Sequence, residues 1–197
     1  MKIIGYVASP HKNGNTAYVV EQIIEKSKNR NAETEIYYAS NFDISPCKGC
    51  LWCVDKDKCA IEDDMQKIYK SLKNTDVLVI GTPIYMGQMT GQAKMFTDRL
   101  YPQATPRFSP YYNPENAGKK LILVFTQGNP DTSKFKTYID YTKSMFEMLE
   151  FDVIDVLIIG GTRQTPACEQ KLITEKIEDL CNKLNYEDEI ISSNNQL

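Results

Sequence analysis

Four of the chain's six cysteines fall within thirteen residues, in the stretch CKGCLWCVDKDKC from Cys47 to Cys59. The spacing is C-x2-C-x2-C-x5-C, and thiols so close together hold a zinc ion, pair as disulfides or wrap an iron-sulfur cluster. Zinc sites usually bring two C-x2-C pairs together across a longer loop. Here Cys47, Cys50 and Cys53 follow at a constant interval, which wraps one side of a cluster. Ferredoxin runs of the C-x2-C-x2-C-x3-C type send the fourth cysteine to a different cluster. The longer VDKDK segment leaves Cys59 free to return to the same centre. Lys48, Lys56 and Lys58 alternate with Asp55 and Asp57, either tempering the charge of such a centre or forming an ordinary solvated loop.

Three other segments carry groups suited to a ligand. SPHKNGNT, Ser9 to Thr16, offers hydroxyls at Ser9 and Thr16, amides at Asn13 and Asn15, and a glycine at 14 just before a helical pattern. Backbone N–H groups at a helix start favour an anion, so this set suits a phosphate monoester. A simple helix cap by Asn13 or Asn15 is the alternative. TPIYMGQMTG, Thr82 to Gly91, has a stiffening Pro83, glycines that permit close approach, and flat or polarisable surface at Tyr85 and Met86. It reads as a rest for a planar ring or as a plain surface loop. TQGNPD, Thr126 to Asp131, places a glycine and a turn after an apolar run.

The elements that position these loops alternate between short apolar runs and helical periodicity, the pattern of a parallel sheet covered on both faces. Strands are expected at Lys2 to Ala8, Thr34 to Ala39, Asp76 to Thr82, Lys119 to Thr126 and Asp152 to Gly160. Ala17, Val20, Ile23 and Ile24 share one helical face, as do Met65, Ile68, Tyr69 and Leu72; a short helix at about Gly91 to Leu100, one through Phe135 to Leu149 and one through Ile173 to Leu184 complete the set. Asp63 or Asp64 reads as an N-terminal acid or cap. The fold class is α/β, doubly wound, either flavodoxin-like with order 2-1-3-4-5 or half of a Rossmann fold. In either, ligands sit beyond the carboxyl ends of the strands, which is where these loops lie.

At 197 residues one domain is expected, over 1–185, with a cysteine loop at 41–62 and a polar tail at 186–197. A net charge of −3 without basic runs argues against nucleic acid or an anionic membrane as partner. No apolar run approaches the length of a secretory core or a membrane span, which points to the cytoplasm and to reduced thiols. Cys181 lies on an apolar helical face, as a small hydrophobe would. If Cys168 shares that helix, thirteen residues of about 1.5 Å rise each put the two out of disulfide range.

Taken in order, SPHKNGNT, CKGCLWC with CAIEDDM, and GTPIYMGQMTGQAKMFTDR resemble the NADPH-dependent FMN reductase superfamily of flavodoxin-like proteins, over roughly Met1 to Leu184. The resemblance implies that Ser9, His11, Asn13, Gly14, Asn15 and Thr16 hold the FMN phosphate and that Thr82, Pro83, Ile84, Tyr85, Met86 and Gly87 line the isoalloxazine. Thr126, Gln127 and Gly128 would complete the ring site. The family commonly has arginine where this chain has His11, its one histidine, so FMN affinity is expected to be weaker or pH-sensitive.

Within that superfamily the cysteine spacing resembles the iron-sulfur flavoproteins, which implies a [4Fe-4S] cluster on Cys47, Cys50, Cys53 and Cys59. By the same resemblance a ferredoxin-like donor gives single electrons to the cluster, FMN collects two, and oxygen, hydrogen peroxide or a quinone accepts them, in a homodimer or homotetramer. The alternative is an NAD(P)H-dependent flavin or quinone reductase whose cysteines are structural or hold zinc. A redox-sensing or metal-binding module without turnover is a third reading.

Overall fold

The structure, a computed structural model, describes residues 1–56, 58–103 and 116–194, with backbone alone for Asp55 and residues 185–194. The strands are β1 (Lys2–Val7), β2 (Glu33–Tyr38), β3 (Val77–Pro83), β4 (Lys120–Thr126) and β5 (Asp152–Ile159). The helices are α1 (Asn15–Lys28), α2 (Trp52–Lys56), α3 (Met65–Lys73), α4 (Gly91–Asp98), α5 (Lys136–Met148) and α6 (Lys171–Asn194). Thus α6 continues past Leu184 into the stretch expected as a polar tail, of which 195–197 lie outside the described residues.

All strand pairs are parallel, in the order β2-β1-β3-β4-β5, so the flavodoxin-like arrangement is adopted and not the Rossmann half. Successive residues of the central strands feed opposite layers. Ile3, Val7, Val77, Val79, Ile122 and Val124 pack with α1 and α6. Ile4, Tyr6, Leu78, Ile80, Leu123 and Phe125 pack with α3, α4 and α5. Burial on both faces explains why these strands read as continuous apolar runs, each large side chain contributing about 1.5–3 kcal/mol on leaving water.

β2 is more polar because it is an edge, bonded only to β1 and half-buried along most of its length. Lys2 crosses to it, its ammonium 2.8 Å from Glu35 and 3.1 Å from Glu33. At the centre, α1 lies unusually close to the sheet. A Cβ on Gly81 would come within 2.5 Å of Val20 and 2.9 Å of Thr16, so hydrogen at that position is what lets the helix start sit against β3.

Candidate functional site

Because every strand points the same way, the loops leaving β1, β3, β4 and β5 emerge on one edge of the sheet. There they enclose a cleft of about 170 Å³. The first loop contributes Ser9, His11, Gly14, Asn15 and Thr16; the second Pro83, Ile84 and Tyr85; the third Thr126, Gln127 and Gly128. Eleven of the fifteen expected residues therefore meet in one place. The other four lie nearby in different settings. Asn13 is exposed on the first loop, and Thr82 is buried behind the cleft. Met86 and Gly87 form the tip of a tight turn closed by mutual backbone bonds between Tyr85 and Gln88. Both tip residues have positive φ, 51° and 82°, the pairing of left-handed residues that such a hairpin requires. Met86 is fully exposed.

Thr162 also lines the cleft, and sequence reasoning missed it. It follows the carboxyl end of β5, so the rule that singled out the other three loops would have reached it. Its N–H donates to the Gln127 carbonyl at 3.1 Å.

The cleft is polar, and one end of it favours an anion. Helix α1 begins after Gly14, which has no side chain to cap it, and its first turn holds no acid, so N–H groups remain available to an anion. Asn15 is engaged elsewhere, its Oδ1 accepting from Ala167 N–H at 2.7 Å. Thr16 and Thr126 join hydroxyls at 2.6 Å. The Gln127 amide donates to the carbonyls of Asn129 and Asp131 at 2.9 and 2.7 Å. Its Oε1 is buried and has no partner among the described residues, an acceptor left for a ligand's N–H.

The frame beneath is tied by Thr90. Its hydroxyl donates to the Ala8 carbonyl at 2.6 Å and accepts from the Ala93 N–H at 3.1 Å, capping α4. Its own N–H reaches Thr82 Oγ1 at 3.1 Å. The first and second loops are thereby fixed to one another and to the start of α4.

At the other end of α4 lies the second candidate site. Cys47, Cys50, Cys53 and Cys59 border a small cavity of about 40 Å³, together with Ile61, Arg99 and Tyr101. Positive φ at Gly49 (61°) and Leu51 (56°) curls the segment between the thiols. Gly49 N–H donates to Cys47 Sγ at 3.4 Å and Ile61 N–H to Cys59 Sγ at 3.5 Å. Burial, and after it the nearness of the other three cysteines, pushes the Cys53 thiol up. Four cysteine sulfurs around one cavity are a soft donor set suited to zinc or an iron-sulfur centre. Among the described residues no three ligand-type side chains converge tightly enough to grip a metal ion. Of the loop's charges, Lys48, Lys56 and Lys58 are exposed, and Asp57 lies outside the described residues. Cys168 sits in a separate short turn (Ala167–Glu169), exposed, while Cys181 is buried in the core.

Beneath the cysteine loop is an ion pair that sequence reasoning missed. Arg99 and Asp63 have side chains only 1 % and 8 % exposed, with Arg99 Nη1 2.7 Å from one carboxylate oxygen and Nη2 3.0 Å from the other. Burial opposes the Asp63 carboxylate, but the bonds from Arg99 and from the Ser45 and Met65 N–H groups overcome it and hold its pKa below the usual range. Asp63 or Asp64 was expected as a helix-start acid or cap: Asp64 holds the N-cap position without a capping side-chain bond, and Asp63 accepts from Met65 N–H at 3.1 Å while serving this larger role.

The doubly wound sheet and a polar cleft at its carboxyl edge define a flavodoxin-like protein. The chain belongs to the NADPH-dependent FMN reductase family, whose model matches residues 1–131. It is 38% identical over 99 residues to an iron-sulfur flavoprotein of Methanosarcina thermophila, covering 50% of this chain and 52% of the relative, so the chain spans about half of that relative's length. It is 29% identical over 182 residues to an iron-sulfur flavoprotein of Clostridioides difficile (strain 630), covering 90% of this chain and 73% of the relative. In fold it is similar to an NAD(P)H:quinone oxidoreductase from Methanothermobacter marburgensis, with a TM-score of 0.73 at 13% identity, covering 94% of this chain and 97% of the other. Among the described residues no helix is long and apolar enough to cross a membrane.

Proposed function

We propose that the chain is an electron-transfer oxidoreductase of the iron-sulfur flavoprotein kind, using FMN in the first cleft and a [4Fe-4S] cluster at the cysteine loop. The observation that carries this reading is the placement of two chemically distinct sites at the two ends of α4. One is a polar cleft built from strand-end loops; the other is a set of four thiols.

In this reading the α1 N-terminus, with Ser9, His11, Asn13, Gly14, Asn15 and Thr16, receives the phosphate. Thr82 to Gly87 and Thr126 to Gly128 receive the ring, the free Gln127 Oε1 accepting from a ring N–H. Tyr85 and Met86, both exposed, cover the ring's outer face and limit water there. Cys47, Cys50, Cys53 and Cys59 hold the cluster. When bound, a [4Fe-4S] cluster supplies single-electron exchange and FMN supplies a two-electron store. The proposed donor is a ferredoxin-like carrier, the acceptor oxygen, hydrogen peroxide or a quinone, and the setting a cytoplasmic homodimer or homotetramer.

Family membership supports a second reading, in which NAD(P)H reduces FMN directly and the cysteines are structural or hold zinc. Anaerobic purification with iron, sulfide and flavin analysis separates the two, followed by mixing with NAD(P)H or with reduced ferredoxin. The first reading expects iron, sulfide and flavin together, with reduction by ferredoxin. Flavin without iron or sulfide after anaerobic reconstitution, reduced rapidly by NAD(P)H, would establish the second instead.

A further inference from the structure

The cysteine loop is held at its base by one residue from another part of the chain. Arg99 Nη1 donates to the Ser45 carbonyl at 2.8 Å, two residues before Cys47, and Nη2 lies 3.4 Å from the Ile61 carbonyl, two residues after Cys59. Asp63 takes the remaining face of the fork and also accepts from Ser45 N–H at 2.9 Å. Gln66 adds a bond to the Ile61 carbonyl at 2.8 Å. Both ends of the loop are therefore fastened to one buried guanidinium, whose planar fork suits several simultaneous acceptors.

Two further observations connect Arg99 to the thiols. Arg99 borders the cavity that the four cysteines line, and its Nε is buried with no partner among the described residues. Every other polar atom of the guanidinium is used. The Arg99 carbonyl accepts from the Tyr69 hydroxyl, which fixes the residue from its backbone side as well.

We infer that Arg99 is the positioning residue of the four-thiol site, closing the base of the loop and supplying it with a buried permanent positive charge and one free N–H donor. This rests on the reading of the cysteines as cluster ligands. A four-thiolate cluster gains negative charge on reduction, so a nearby fixed cation favours the reduced form and raises its potential. Asp63 offsets that charge in part. Substitutions at the two members of the pair therefore move the potential in opposite directions, which a purely structural pair would not do.

The test uses the full chain with Arg99→Lys, Arg99→Gln and Asp63→Asn. Cd²⁺ binding to the reduced apo-protein, read by thiolate absorbance, is expected to weaken by about 10–100-fold in both Arg99 variants, as for other supports of metal ligands. After anaerobic loading with iron and sulfide, the midpoint potential followed by redox titration shifts negative in Arg99→Gln, little in Arg99→Lys and positive in Asp63→Asn. Unchanged Cd²⁺ affinity, or potentials that all shift the same way, would overturn the inference. If Arg99→Gln does not fold, weaker Cd²⁺ binding in Arg99→Lys together with a positive potential shift in Asp63→Asn supports the inference, and the absence of either overturns it. A wild-type chain that takes up no iron and sulfide sinks the cluster reading, while the Cd²⁺ comparison still judges Arg99 as the loop's fastener.

Discussion

The hydroxyls of Thr16 and Thr126 meet at 2.6 Å in the wall of the first cleft, joining the start of α1 to the end of β4. Both residues are buried. Thr126→Val leaves the Thr16 hydroxyl without this partner, at an expected cost of about 1–3 kcal/mol in urea unfolding. FMN affinity, measured by quenching of flavin fluorescence, falls with it. The double variant Thr16→Val with Thr126→Val costs less than the sum of the two single changes, because neither hydroxyl is then stranded.

Gly81→Ala drives a methyl into Val20 and Thr16 at the base of α1. Overpacking of this kind destabilises by about 1–3 kcal/mol. It also moves the helix start that faces the cleft, so FMN binds less tightly. Gly91→Ala is the matching control: a Cβ there meets nothing within 4 Å, and both stability and FMN affinity are retained.

His11→Arg places a permanent, bidentate cation on the first loop. FMN affinity is expected to rise by about tenfold, the equivalent of one additional charge-assisted bond. Titrating the wild-type and variant apo-proteins with FMN under the same conditions checks this. No gain in affinity would remove residue 11 from the phosphate site.

Acid unfolding reports on Asp63. Its folded pKa is depressed by Arg99 and two backbone N–H groups acting against burial. Its contribution to stability is therefore present above the ordinary aspartate pKa of about 3.9 and lost as pH falls through the lower folded value. Wild-type stability should drop below about pH 4, and Asp63→Asn, already weaker at neutral pH, should show a shallower drop there. Urea midpoints collected from pH 6 downward give the comparison.

Cys50→Ser removes one of four thiols from a loop that touches none of the cleft residues through a described hydrogen bond. If the four thiols hold the proposed cluster, the iron content after anaerobic reconstitution falls well below that of the wild type, while FMN binding is kept. Loss of both together would show the two sites to be interdependent.

The central strands were legible because burial on both faces leaves Ile3 to Val7, Val77 to Ile80 and Leu121 to Phe125 almost free of polar residues. β2 was harder to read for the opposite reason: as an edge it keeps Glu33 and Glu35 as partners for Lys2. Most of the cleft followed from one topological rule, that parallel strands deliver their following loops to the same edge. Thr162 obeys that rule but lies in a GGTR segment with little chemical signal of its own. The Arg99–Asp63 pair spans 36 positions, and nothing local to either residue announces a partner so distant. Asp63 looked like a cap because it does satisfy a helix-start N–H, and that local role concealed the tertiary one. Cys168 was placed conditionally in the last helix; it belongs to a separate turn, since Gln170 intervenes before α6 begins at Lys171.

Helix α4 is only eight residues, Gly91 to Asp98, about 12 Å from end to end. Thr90 anchors one end to the cleft loops, and Arg99 fastens the cysteine loop at the other. Its length is consequently a shared dimension of two sites. Inserting one residue would turn Arg99 by about 100° relative to Thr90, and no compensating change in either loop alone could restore both sets of bonds. Surface loops elsewhere in the chain can lengthen or shorten during divergence; this helix is constrained to change only in the residues it presents, not in their number.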